Sequence, residues 1–453
     1  MKRDVIVAAL ASAGMPAETA AAKVPLFDQC DVLRARLGWA TTDHAWWIPG
    51  RLEVFGKHTD YGGGRTLVAA LPRGLAMVAA NGLSPTAGLR VADARTGEIV
   101  AVPAREDDNQ RPGWAIYAET VARRLCRNFP GAVLSADILF ASDLPPAAGM
   151  SSSSALIVGL AAALVRLAGI ESRDEWQRNI SGPLDLAAYY ACIENGATFR
   201  ELAGDTGVGT HGGSEDHAAI LCGSPSRVTA FSFVPLQLVA RAALPAGWRF
   251  VVASSGVRAE KTGAAQDVYN ALARDTATLL RLWNAHEPVV GSLGAALASD
   301  ASARGRLVEI IHRAHPSDPE RRTLEERLDH FIREDARVPE ALAAFDVSDA
   351  AALAVLASES QRDAEVLLRN QVPETLALAA AARGLGAIGA CSFGAGFGGS
   401  VWALVHQDDA PTFPARWMAA CGPALPAAVA FDANPGPGLI QLSANSSQLS
   451  ALS

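Results

Sequence analysis

Residues 1–45 read as helix-rich. From Ala45 the apolar positions close up: Trp46-Trp47-Ile48 leads into Pro49-Gly50-Arg51 and a Gly-dense loop, and residues 66–71 read as a strand. Residues 74–102 are apolar runs broken by Asn81-Gly82, Pro85, Gly88 and Gly97, a pattern that predicts a β-meander. Residues 114–129 fit a helix and 134–140 alternate like a strand. Four serines then open an Ala/Leu-rich helix over 155–167, where they are expected to cap its start. Residues 186–202 read as a further helix and 204–214 as a Gly/Thr loop. A second region begins near 230. It holds a strand at 249–253, a long helical stretch over 262–372, a Gly-rich hairpin or turn at 384–400 and a strand at 401–405. Residues 433–438 are a turn, and a Ser-rich tail from about 442 is expected to fray.

Composition narrows the class. The 453 residues, half of them apolar, are enough for two domains sharing an interface. Charged residues make up 19%, which is ordinary for a folded chain. The net charge of −8 argues against nucleic acid as a partner, because phosphate backbones recruit basic faces. It does not argue against ATP, which a local Gly-rich loop and one metal can hold. The six cysteines, at 30, 126, 192, 222, 391 and 421, form no CxxC or zinc pair and point to reduced thiols in a cytoplasmic protein. The longest apolar run, 155–165, is too short for a bilayer, so no membrane is expected. Met1-Lys2-Arg3 and the apolar residues 5–10 faintly mimic a signal peptide. Asp4 interrupts the basic start, and a short amphipathic helix is the better reading.

Three Gly-rich segments carry candidate chemistry. Gly56-Lys57-His58-Thr59-Asp60-Tyr61-Gly62-Gly63-Gly64 sets a cation, an imidazole and a carboxylate close to Arg51, which suits a polyol; the bland alternative is a solvated surface hairpin. Gly149-Met150-Ser151-Ser152-Ser153-Ser154 opens a helix, whose backbone N–H groups can bind phosphate; the alternative is a redundant N-cap. It is not a Walker A loop, since no Gly-Lys-Ser/Thr follows. Gly394-Ala395-Gly396-Phe397-Gly398-Gly399 formally matches the dinucleotide fingerprint, but the strand-like Ser400-Val401-Trp402 follows it where a helix is required. An NAD enzyme is set aside on that ground, and close approach of two backbones is the alternative role.

In this order and spacing the three segments resemble the motifs of the GHMP kinases. Residues 49–63 resemble the galactokinase signature, 145–156 its phosphate-binding loop and 392–399 its third motif. The resemblance spans roughly 25–440. It implies a two-lobed α+β fold, with an N-terminal ribosomal protein S5 domain 2-like lobe (1–230), a C-terminal ferredoxin-like lobe (231–453) and the site in the cleft. It implies ATP and Mg²⁺, and transfer of the γ-phosphoryl to the anomeric hydroxyl of a galactose-like hexose. Residue by residue, Asp216 matches the catalytic base, with Glu215 as fallback, and Arg51 the arginine beside the reacting hydroxyl. His58, Asp60 and Gly213 match sugar contacts. Gly149, Met150, Ser151, Ser152, Ser153 and Ser154 match the phosphate loop, and Gly394, Gly396, Gly398 and Gly399 the third motif. Ser152 and Glu194 match the metal ligands, and Trp114 and Tyr117 an adenine-side pair. Solvated or core positions are the alternatives for Glu194, Trp114 and Tyr117.

The chain departs from that pattern. Lys57 stands where the family has a glutamate toward the sugar's C6 hydroxyl, and a cation there suits the carboxylate of a hexuronic acid. Lys57 pointing to solvent, or pairing with Asp60 or Glu53, is the alternative. The family's downstream sugar-contacting tyrosine falls near Gln266, and about ten extra residues lie between Glu194 and Asp216. Two rivals follow: a non-catalytic sugar and ATP sensor on this scaffold, and a kinase of a non-sugar alcohol.

Overall fold

The computed structural model describes residues 2–42, 44–84, 88–103, 113–258, 266–315 and 318–442. Two sheets with flanking helices make an α+β architecture. The first contains β1 (His44–Phe55), β2 (Arg65–Asn81), β3 (Leu89–Asp93), β4 (Ile99–Val102), β5 (Ala136–Ser142), β6 (Arg227–Ser232) and β7 (Gln237–Ala243). The second contains β8 (Trp248–Ser254), β9 (Gly389–Phe393), β10 (Ser400–His406) and β11 (Val429–Asp432), all antiparallel, in the order β11-β8-β10-β9. A last strand, β12 (Ile440–Leu442), returns to the first sheet beside β1. The expected boundary at 230 falls inside β6, and both β7 and β12 still belong to the first sheet.

β1 shows why its apolar run is nearly unbroken. Side chains alternate across a strand. Trp46 and Ile48 enter the core with the helix Ser152–Leu167, while Ala45 and Trp47 face a second core built with the N-terminal helices, including Val24–Leu37. Both faces are covered, so neither needs polar positions. The opening helix forms at Arg3–Ser12.

Residues 74–102 do not form a meander. β5 inserts between β2 and β3, antiparallel to β2 and parallel to β3. Local turn residues mark where strands end, but they do not say which strands pair. The helix expected over 186–202 spans Pro183–Asn195. There the chain folds back, with Val208 N donating to Glu194 O and Asp205 N to Gly196 O. The Gly-rich segment after 384 is a hairpin, β9–turn–β10. Residues 443–453, the expected fraying tail, lie outside the described residues.

The long helix Asp318–Asp346 fixes the loop after β1. Glu334 accepts hydrogen bonds from the backbone N–H of Gly56 (3.1 Å) and Lys57 (3.4 Å). Asp335 accepts from the backbone and guanidinium of Arg65. A turn that would otherwise be a free surface loop is thus clamped from the second half of the chain.

Candidate active site

β1 loses register with β2 between Pro49 and Arg51. A bulge of this kind re-aims a side chain, and here it sends Arg51 into a cleft. Its backbone N–H donates to Met150 O instead of continuing the ladder. The guanidinium Nε lies 2.7 Å from Asp216 Oδ1 and 3.1 Å from Glu215 Oε1, and Nη1 donates to Gly149 O at 2.6 Å. One side chain therefore ties β1, the start of the helix Glu215–Cys222 and the serine loop together. Ser154 Oγ donates to the other Asp216 oxygen at 3.2 Å.

The cleft is narrow, with a cavity volume of about 40 Å³. Arg51, Glu53, His58, Asp60 and Tyr61 line one side. Glu194, Asn195, Thr210, Gly212 and Gly213 line another, and Ser154, Glu215, Asp216, His217, Tyr269, Gly394 and Ala395 complete it. His58 Nδ1 is 3.0 Å from Tyr61 Oη, and Nε2 is 3.3 Å from Ala395 O. Asp60 accepts from the backbone N–H of Tyr61 and of Glu215. The third motif meets the serine loop directly: a Cβ on Gly394 would stand 2.7 Å from Gly149 O, and Ser400 Oγ donates to Ala148 O.

Burial sets the charge pattern. For Arg51 burial opposes the charge, but Asp216, Glu215 and Glu53 more than offset it and its pKa rises. Burial pushes Glu53 up to about 7 despite Arg51 and Lys57, and pushes Glu215 well above the usual carboxylate range. Glu215 is thus held toward its neutral form. Asp216, with 14% of its side chain exposed and two hydrogen-bond donors, is the better base. Because Glu53 titrates higher in the fold than in the unfolded chain, its stabilising share is complete below its ordinary pKa of 4.5. That share is lost as the pH climbs through about 7. Glu53→Gln is expected to flatten the fall in stability between pH 4.5 and 7, measured by urea midpoints; an unchanged slope would clear Glu53 of that role.

Lys57 does not reach the cleft. It is 1% exposed, its Nζ donates to Ser360 Oγ (2.6 Å) and contacts Cys391 Sγ (3.0 Å), and Glu334 Oε1 is 3.7 Å away. The expectation that it contacts the substrate is corrected, and so is the solvent-facing alternative; of the pairings considered, Glu53 does act on it electrostatically. A buried ammonium needs a nearby carboxylate to compensate its desolvation, and Glu334 stands closest, with Glu53 also acting on it. Of the serine loop only Ser154 lines the cleft. Met150 packs into the core, and Ser151, expected to cap, is left-handed at φ 59° with no side-chain capping bond. Trp114 packs edge-on against Phe140, and neither it nor Tyr117 lines the cleft. The side chain of Gln266 lies outside the described residues. Gly396, Gly398 and Gly399 shape the β9–β10 turn.

Sequence reasoning missed Tyr269, one turn beyond Gln266 on the helix Gln266–His286, whose ring lies 5.9 Å from that of His58. It also missed Glu53, Asn195, Thr210 and His217. The signal for Tyr269 was an aromatic three residues beyond the expected position. The residues before Glu215 form a pinned wall: Asn270 holds Gly209 O and His211 N, and Asn195 holds Gly212 O. Gly213 is tight. A Cβ there would fall 2.2 Å from Asp60 Oδ2. Gly213→Ala is expected to push Asp60 aside and weaken binding of whatever ligand Asp60 faces in the cleft roughly 10–100-fold, the equivalent of one charge-assisted hydrogen bond. Steady-state kinetics with each substrate varied would check it.

A serine-rich loop at a helix start, a guanidinium–carboxylate pair and a polar cleft fit a small-molecule kinase of the GHMP class. Models of the GHMP kinases N terminal domain, the galactokinase galactose-binding signature and the GHMP kinases C terminal match residues 116–224, 38–81 and 340–423. The chain belongs to the GHMP kinases and, within them, is an atypical galactokinase-like member. It is 27% identical to the galactokinase of Chloroflexus aggregans over 389 residues, covering 82% of this chain and 86% of that one. It is 25% identical to the galactokinase of Exiguobacterium sibiricum over 413 residues, covering 89% and 93%. The crystal structure of Lactococcus lactis galactokinase complexed with galactose has a TM-score of 0.72 at 20% identity, covering 91% of this chain and 98% of that one.

Proposed function

We propose that this protein is an ATP-dependent kinase that phosphorylates the anomeric hydroxyl of a galactose-like hexose, giving a sugar 1-phosphate. The observation that carries this reading is the Arg51–Asp216 pair at 2.7 Å, joined through Gly149 to the serine loop in one cleft. Asp216 orients the hydroxyl and takes its proton. Arg51 keeps Asp216 ionised and faces the transferring oxygens. His58, Asp60, Gly213 and Tyr269 hold the sugar. Residues 149–154 hold the phosphates: the side chain of the N-cap residue Ser151 makes no capping bond, which leaves the N–H groups of the helix start to an anion. Trp114 and Tyr117 are assigned to the adenine side by resemblance alone.

The donors beside the cleft fit a divalent cation. Glu194 is a buried carboxylate, and next to it His217 has two ring nitrogens with no hydrogen-bond partner among the described residues. Glu194 and Ser152 would hold Mg²⁺, which when bound offsets charge on the triphosphate. All six cysteines are free, in keeping with a reducing cytoplasm, and among the described residues no helix is long and apolar enough to cross a membrane. With Lys57 buried away from the cleft, nothing favours a uronic acid.

The test is product identification by mass after incubation with ATP, Mg²⁺ and a mixture of hexoses, hexuronic acids, mevalonate and homoserine. A hexose 1-phosphate is expected. Binding of sugar and ATP with no turnover would instead make the protein a sensor.

A further inference from the structure

His217 occupies a costly place. It is 2% exposed, it lines the cleft beside Asp216, and neither ring nitrogen has a hydrogen-bond partner among the described residues. A buried imidazole that makes no hydrogen bond, although a carboxylate stands beside it, calls for a cause. Its Nε2 is 3.2 Å from Glu194 Oε2, close but without the alignment of a hydrogen bond. The two residues sit on rigid elements, the packed helices Pro183–Asn195 and Glu215–Cys222. Glu194 is fixed further by its carbonyl, which accepts from Val208 N.

Two donors held cis on one first-row cation at about 2.1–2.2 Å stand about 3.0–3.1 Å apart. The observed 3.2 Å separation matches that spacing, as it also matches a direct imidazolium–carboxylate ion pair. Among the described residues no group of three His, Cys, Asp or Glu is arranged to hold a metal ion. Glu194 and His217 supply two donors of that kind, and the Ser152 hydroxyl and oxygens of the nucleotide would complete the shell.

We propose that His217 is a specificity-determining residue of the nucleotide's cation site: with Glu194 it forms a mixed nitrogen–carboxylate seat that favours first-row transition cations over Mg²⁺. This rests on the kinase reading of the same cleft. Mg²⁺ takes oxygen ligands and gains little from imidazole, whereas affinity for a nitrogen donor rises from Mn²⁺ toward Co²⁺. A glutamine at this position would offer only an oxygen or an amide nitrogen and remove the discrimination.

The experiment uses full-length protein with ADP and measures Co²⁺ and Mg²⁺ affinities by calorimetry, for wild type, His217→Gln and His217→Asn, each checked for an unchanged melting temperature. The Co²⁺-to-Mg²⁺ affinity ratio is expected to drop about tenfold or more in both variants. Pulsed EPR of the Mn²⁺–ADP complex is expected to show an extra ¹⁴N coupling in the wild type that His217→Gln lacks. An unchanged ratio, or the same nitrogen coupling in the variant, overturns the proposal, as does wild-type Mn²⁺ without nitrogen coupling. If the proposal fails while wild type makes a sugar phosphate with Mg²⁺, the kinase reading stands. If the coupling is present but no cation supports turnover on any sugar, the kinase reading falls and the cation site stands.

Discussion

Asp216→Asn is expected to lower kcat about 10²–10⁴-fold while the ATP affinity stays within a few-fold of wild type. Asparagine keeps the shape but can neither take the sugar's proton nor carry the charge that faces Arg51. The fold should survive, because Arg51 retains Gly149 O and the neighbouring Glu215 and Glu53. Steady-state rates give kcat, and calorimetry with ATP gives binding. Near-normal turnover in this variant would remove Asp216 from the mechanism. Turnover that returns as the pH is raised would hand the role to Glu215, whose burial keeps it protonated at lower pH.

Lys57→Glu is the change that motif comparison alone would recommend, since it restores the galactokinase pattern. It is expected instead to destabilise the protein by about 3–5 kcal/mol, the usual consequence of breaking a buried ion pair by changing one partner. The new carboxylate would meet Glu334 in a pocket that excludes water, where Ser360 already donates to Glu334 and Arg337 Nη1 approaches its other oxygen at 2.8 Å. Because Glu334 also holds the backbone of Gly56 and Lys57, the loss would spread to the sugar-facing turn. Urea midpoints measure the effect, and a wild-type midpoint with improved galactose kinetics would contradict it.

The same network predicts acid sensitivity. Burial opposes the charge on Glu334, yet Lys57, His330 and Arg337 with Ser360 hold its pKa down to about 2. Its folded pKa is depressed, so its stabilising share is complete above the ordinary value of 4.5 and disappears as the pH falls toward 2.

The chain order of apolar runs and glycines was sufficient to find the three loops, the helix behind the serines and the β9–β10 hairpin, because these are local: a turn needs its residues in sequence. The same local reading found Arg51, His58, Asp60, Gly213 and Asp216, whose spacing within each motif is set by short stretches of backbone. It could not find what lies opposite. β5 enters between β2 and β3 through pairing that no turn residue specifies. Lys57 was read as a substrate contact because the resemblance sets its position toward the sugar. Only the helix Asp318–Asp346, some 280 residues later, supplies the Glu334 carboxylate that draws it away. Tyr269 likewise enters the cleft from a helix whose own sequence looks like ordinary amphipathic surface, and His217 enters from the buried helix that also carries Asp216. Motif chemistry was therefore written in the sequence, whereas partner choice for each buried charge was decided by folding, since desolvation is paid wherever the nearest compensating group happens to be packed.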